Sequence, residues 1–310
     1  VTSLDWIGTA ICLAMTTSLL LPLQWGGNTK PWSSPQVYAL FPIFGVLVAA
    51  FVAWEHRLGP RAIMPLSMFR SRTQIGACLA AVGVLHGQSH TTPLTAPSQF
   101  FIFFCLLIGS YYLPLWFQAT RGVSATSSGI SILPFMLANV IVAGGVGAIV
   151  STRGRYWHFI VVSPLLTAIG SGLLYTTDVH TPSAALIGFQ ILFGAGIGGA
   201  FQNTILSVQA EYADAPARVP QATSLVNFTQ LMGGVIGLAA AGTLFSNKLA
   251  SGLPADLPPA ARAAVVSSVE AIKLLPPALQ AGVVNAYVQA LRPVFVLGVP
   301  TAALASLSAL

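Results

Sequence analysis

The chain has 310 residues, of which 55% are hydrophobic and only 6% charged, at a mean hydropathy of +0.79. Soluble domains carry about 25% charged residues, so the composition excludes a soluble globular protein and indicates a polytopic membrane protein. The net charge of +6 comes from 13 basic and 7 acidic residues, nearly all between apolar runs, where they suit loops meeting anionic lipid and not a nucleic-acid surface.

Eight apolar runs are long enough to span a bilayer: 5–24, 36–54, 100–118 (with 73–81 a companion stretch), 128–150, 157–176, 184–208, 222–245 and 292–310. The fold class expected is therefore all-α. Asp5 stands where a helix N-cap belongs, immediately before the first run. The Trp25–Trp32 stretch between the first two runs combines interfacial tryptophans with the Gly, Asn and Pro of a tight turn. After the second run, Arg57, Arg61, Arg70 and Arg72 crowd one short loop, which assigns that side to the cytoplasm. Alternation brings Arg153, Arg155 and Arg218 to the same side. Every acidic residue, Glu55 included, is expected in a loop or at a membrane boundary.

The stretch 82–99 breaks an otherwise continuous apolar run, and removing it joins Ala81 to Phe100. A Val codon at its start, Leu94-Thr95 and Gln99 satisfy the codon constraints of a short intron, so the stretch is read as retained intron sequence. The alternative is a real polar insertion. His86 and His90 within it have helical spacing, but Gly87 lies between them and no third ligand is near, so no metal site follows. Cys12, Cys78 and Cys105 each sit in an apolar run without paired spacing, and no disulfide framework or cofactor is expected.

The run Ala184–Val208 carries no charge yet holds Gly188, Gly194, Gly196, Gly198 and Gly199 before Gln202 and Asn203. Small residues let membrane helices approach closely, so Gly194 and Gly198, with Gly144, Gly147, Gly233 and Gly237 elsewhere, are expected at helix contacts. Polar side chains at membrane depth mark a transport pathway by default. The candidate pathway residues are Tyr111, Tyr112, Gln118, Asn139, Gln190, Gln202, Asn203, Asn227 and Gln230. For each, an interhelical hydrogen bond worth roughly 0.6 kcal/mol is the structural alternative. The stretch 246–291, divided by Pro254, Pro258-Pro259 and Pro276-Pro277, is expected as a long extracellular loop with one helix over 257–275 and a second feeding the last span.

The order of these motifs resembles the major facilitator superfamily, and more closely its fourteen-helix drug:proton antiporter subfamily of fungal multidrug and mycotoxin efflux pumps. Asp5-Trp6-Ile7-Gly8 and Leu23-Gln24-Trp25-Gly26-Gly27 look like that family's helix seven. Glu55 through Pro65-Leu66-Ser67-Met68-Phe69-Arg70 looks like the loop after helix eight. The Tyr111-Tyr112 run, Ser128-Gly129 to Leu133-Pro134, Gly194–Asn203 and Met232–Gly237 look like helices nine, ten, twelve and thirteen. The resemblance implies a partial major facilitator fold: residues 1–72 form two linker helices and a cytoplasmic loop, and 73–310 form the C-terminal six-helix half. The chain then reads as a fragment whose N-terminal half, the missing partner, belongs to the same polypeptide.

The implied activity is alternating-access, proton-coupled efflux of lipophilic drugs or toxins from a fungal cell, with the fragment alone inactive. Bilayer lipid, a small amphipathic substrate and protons are the implied partners, and the plasma membrane (or the vacuolar membrane) the location. Siderophore or sugar carriers share the fold, and a non-transport receptor is the reading from another class. A membrane enzyme would need clustered His, Asp, Glu or Cys at membrane depth, which the sequence lacks, so no catalytic residue is assigned.

Overall fold

A computed structural model of the chain describes residues 5–26, 30, 32–59, 96–154, 157–211, 216 and 219–308. Most of the stretch 82–99, together with Cys78, His86 and His90, lies outside these residues. The described chain is helical, and eight of its helical segments have the length and apolar composition to cross a membrane. The protein is an all-α, integral membrane protein.

Helix α1 (Trp6–Trp25) and helix α3 (Leu40–Leu58) form a hairpin through the short α2 (Pro35–Tyr38). Asp5 caps α1: its carboxylate accepts from the Gly8 N–H at 2.8 Å and from Trp54 Nε1 of α3 at 3.0 Å. One side chain thus satisfies an orphan helix donor and ties the two helices together. Glu55, placed in the loop after the second run by the resemblance and in a loop or at a membrane boundary by its position, stands in the last turn of α3, at the end of that membrane-length segment, and is buried. Its carboxylate faces Gly8, where an added Cβ would lie 3.2 Å from Oε1. Helix α3 continues four residues past the apolar run 36–54, which carries Glu55 into its last turn.

Helix α4 (Ala96–Arg121) is the hub of the remaining bundle and packs against α8, α9, α11 and α12. After it come α5 (Ala125–Ser131), α6 (Leu133–Arg153), α7 (Trp157–Tyr175), α8 (Ser183–Glu211) and α9 (Val219–Gly252). The chain closes with α10 (Pro259–Ser267), a 3₁₀ turn (Val269–Leu274), α11 (Pro277–Val296) and α12 (Gly298–Leu307). Gly154 ends α6 at φ 69°, a conformation that glycine enters without a Cβ penalty.

Helix α8 lies between α6 and α7, and its glycines explain how. A Cβ at Gly194 or Gly198 would overlap the backbone carbonyls of Phe135 and Asn139 on α6. A Cβ at Gly196 or Gly199 would overlap Thr167 and Ser163 on α7. In return, Gly170 of α7 receives the backbone of Phe193, 2.6 Å from its would-be Cβ. On the far side of α4, Gly233 and Gly237 of α9 meet Phe100 and Phe104 in the same way. Gly144 and Gly147, on α6, have nothing within 4 Å of a would-be Cβ. They face outward from the described helices.

The stretch after the seventh span is a folded cap. Helix α9 runs on to Gly252, and α11 begins at Pro277, so the last membrane-length segment covers Pro277–Leu307. The single helix expected over 257–275 breaks at Ser268, which is extended at φ −150° and accepts the Glu270 N–H on its hydroxyl. That local bond competes with helix continuation. Leu249, Leu253, Leu257, Val265, Ile272, Val283 and Tyr287 build a small core of their own. Arg262 donates to the carbonyls of Ala250, Leu253 and Pro254, closing the C-terminal end of α9. The Tyr287 hydroxyl donates to the Val265 carbonyl at 2.6 Å.

Candidate functional site

The polar residues at membrane depth divide into two groups along α4 and α8. Gln190 and Gln202 stand twelve residues apart on one helix, about 18 Å along its axis at 1.5 Å per residue. They do not line one small pocket.

The first group gathers where α4, α8 and α9 meet. Gln230 of α9 accepts a hydrogen bond from Gln99 Nε2 at 3.1 Å. Gln99 is wholly buried and its Oε1 has no partner; the neighbouring Ser98 hydroxyl is in the same position. One turn on from Gln99, the Phe103 ring stacks on Phe201 of α8 with centroids 6.2 Å apart, and it packs over Gly234 of α9. Phe103 therefore joins the α8 and α9 polar residues through one ring. Asn227 is exposed one turn from Gln230. Gln202 is also exposed, while Asn203 turns inward and donates its Nδ2 to the Gly199 carbonyl at 2.7 Å. The half-buried Asn139 presents its main-chain carbonyl to Gly198.

The second group lies toward the other end of the bundle. Tyr111 is 64% exposed, whereas Tyr112 is buried, with its ring 5.9 Å from that of Phe245. Gln118 donates to the Ser128 hydroxyl at 3.0 Å, tying α4 to α5. Gln190 is wholly buried in the apolar core. Beyond this group, Arg121 donates to the carbonyls of Val179 and Thr181, and Arg292 to that of Thr177. Two cations from α4 and α11 thus hold the α7–α8 turn. Asp178 in that turn accepts from the Thr181 hydroxyl and the His180 N–H, which hold its carboxyl below the usual carboxylate value.

Sequence reasoning missed Gln99, because it fell at the edge of the stretch read as an insertion. It also missed Phe103 and Phe201. The spacing of Gln99 and Phe103, i and i+4 on one helix face, was the available signal. Among the described residues no group of three or more His, Cys, Asp or Glu could hold a metal ion. The site offers amides, aromatic rings and no fixed charge. Such a surface binds by stacking, apolar contact and neutral hydrogen bonds.

Membrane-length helices packed through glycine, with uncharged polar residues held among them, define a polytopic membrane protein. Residues 1–305 match the family model described as the fungal trichothecene efflux pump (TRI12), and the chain belongs to that family. It is 36% identical over 308 residues to the MFS-type transporter astH of Aspergillus oryzae, covering 97% of this chain and 50% of that protein. It is 38% identical over 255 residues to the efflux pump aunC of Aspergillus niger, covering 82% of this chain and 45% of that one. An MFS-type efflux pump of Arthroderma benhamiae is 35% identical over 304 residues, 97% of this chain and 53% of its own length. The chain spans about half the length of these curated relatives.

Proposed function

We propose that the whole protein exports lipophilic, amphipathic compounds across the plasma membrane in exchange for protons. In this reading residues 1–72 are linker helices, and 73–310 form the C-terminal six-helix half of an alternating-access carrier. The single observation that carries it is the uncharged amide and aromatic zone at the α4–α8–α9 junction, set in a chain of an efflux pump family. Phe103 and Phe201 supply stacking surface; Gln230, Asn227 and Gln202 supply donors and acceptors on both sides of it, with the buried Gln99 holding Gln230. A sugar or siderophore carrier would be served better by charge or by denser hydrogen bonding. The basic loops lie on the cytoplasmic side, and the 246–291 cap faces outward. Gly144 and Gly147, open on α6, leave room for a helix of the other half.

The test is dye retention in yeast lacking their own efflux pumps. Cells expressing the full-length protein are expected to retain several-fold less of a lipophilic fluorescent dye, and a protonophore to abolish the difference. Asn227→Ala and Gln202→Ala should raise the apparent KM more than they lower surface expression. Equal retention with and without the protein, across a panel of lipophilic dyes, contradicts the reading.

A further inference from the structure

Gln190 is wholly buried, and neither its Oε1 nor its Nε2 has a hydrogen-bond partner. It stands in the buried row Leu186, Gln190, Phe193, Ile197 and Ala200 of α8, whose other members all belong to the main apolar core. Buried side-chain amides are nearly always satisfied, by protein or by ordered water. A second orphan lies in the same core. Trp116 of α4 is among the largest fully buried side chains, and its indole N–H also has no partner.

The helix register brings these two orphans together. Phe103 stacks on Phe201, and a Cβ at Gly109 would lie 2.5 Å from the Phe193 ring. Those pairings make α4 and α8 antiparallel and set Gln190 opposite Tyr112 and Leu113. Trp116 is about one turn farther along α4. Helical side chains lean toward their own N-terminus. Because the helices run in opposite senses, the indole leans back toward the level of Gln190 and the amide leans toward that of Trp116. Pro114 interrupts α4 between them.

The structure assigns to this α4–α8 contact an internal water site, held by the Gln190 amide and the Trp116 indole N–H. A buried water needs two to four polar partners. The amide offers a donor and an acceptor, and the indole a donor, which meets the minimum of two partners. The guest is water and not a larger solute, because Leu113, Leu186 and Phe193 enclose the level with almost no exposed surface. The site is separate from the α4–α8–α9 junction and does not rest on the transport reading.

X-ray hydroxyl-radical footprinting of the purified protein in lipid nanodiscs tests it, since a bound water labels side chains that bulk solvent does not reach. After correction for intrinsic reactivity, Trp116 is expected to label several-fold faster than the equally buried Phe295. Gln190→Met, which keeps the shape and removes the amide, should cut that labelling at least threefold while leaving the melting temperature unchanged or higher. If that variant does not fold, Trp116→Phe serves instead, with labelling of Leu186 and Phe193 falling in its place. Trp116 labelling no faster than Phe295 overturns the assignment. So does Trp116 labelling that Gln190→Met leaves unchanged, or labelling of Leu186 and Phe193 that Trp116→Phe leaves unchanged.

Discussion

The main-chain carbonyl of Asn139 occupies the space into which a side chain at Gly198 would project. Helices α6 and α8 therefore meet backbone to backbone, and the contact tolerates nothing larger than hydrogen at that position. Gly198→Ala is expected to destabilise the bundle by about 1–3 kcal/mol, the usual cost of overpacking a close contact. In the 310-residue chain Gly144→Ala should be neutral or stabilising by up to about 1 kcal/mol, since it gains helix propensity and meets nothing among the described residues. Thermal unfolding of the two variants in the same detergent separates them. Equal losses would mean that Gly144 packs as tightly as Gly198.

The Gln99–Gln230 pair makes a different kind of prediction. Gln230→Leu leaves the buried Gln99 amide wholly unsatisfied and should cost about 1–3 kcal/mol. The double replacement Gln99→Leu with Gln230→Leu removes both polar groups and should recover most of that loss. A double-mutant cycle on thermal stability reads the difference. Additive losses would dissolve the pair.

Arg262 closes the end of α9 by reaching three main-chain carbonyls. Arg262→Ala should weaken the cap by about 1–2 kcal/mol, after allowance for its partial exposure. Arg262→Lys should restore only part, because an ammonium cannot reproduce the planar fork. Hydrogen exchange at 249–258 is the local readout, and unchanged protection in Arg262→Ala would remove this role.

Asp178 adds a pH dependence of definite sign. The Thr181 hydroxyl, then the His180 N–H, depress its folded-state pKa. A depressed carboxyl contributes stability that is fully present above the ordinary carboxylate range and is lost as pH falls through the folded-state value. Protease nicking of the 176–182 turn should therefore rise below about pH 4, and Asp178→Asn should show the raised rate at neutral pH. A pH-independent rate would contradict the assignment.

Several of these relationships were legible in the chain, and others were not, for physical reasons. Eight apolar runs of about 20 residues announce membrane-length helices, because a helix satisfies every polar backbone group within its own segment in lipid. Glycine rows announce close approach but not its direction: Gly194 and Gly198 meet carbonyls, whereas Gly144 and Gly147, in an equally glycine-rich span, meet nothing. Gln202 and Asn203 are adjacent amides on a helix apolar nearly all round, so the pattern could not say that Asn203 turns inward and Gln202 outward. The cap was hidden because its core is made by tertiary contacts among short helices, each too weakly patterned to stand out. Gln99 was hidden by the hydropathy break around it. The Gln99–Gln230 pair belongs to the alternative in which 82–99 is a real insertion, since residues 96–99 continue α4; the intron reading instead predicts a spliced transcript that places Ala81 before Phe100 and leaves Gln230 without its amide partner. A transcript retaining those codons as its main form would sink it.

In the function proposed above, this chain is one half of a proton-driven exporter whose moving interface needs the other half. Proteoliposomes carrying a pH gradient test it most directly, with the 310-residue chain alone compared against the same chain co-reconstituted with an N-terminal six-helix half. Gradient-driven accumulation of a lipophilic dye is expected only when both halves are present. Proton-driven accumulation by the 310-residue chain alone would contradict it.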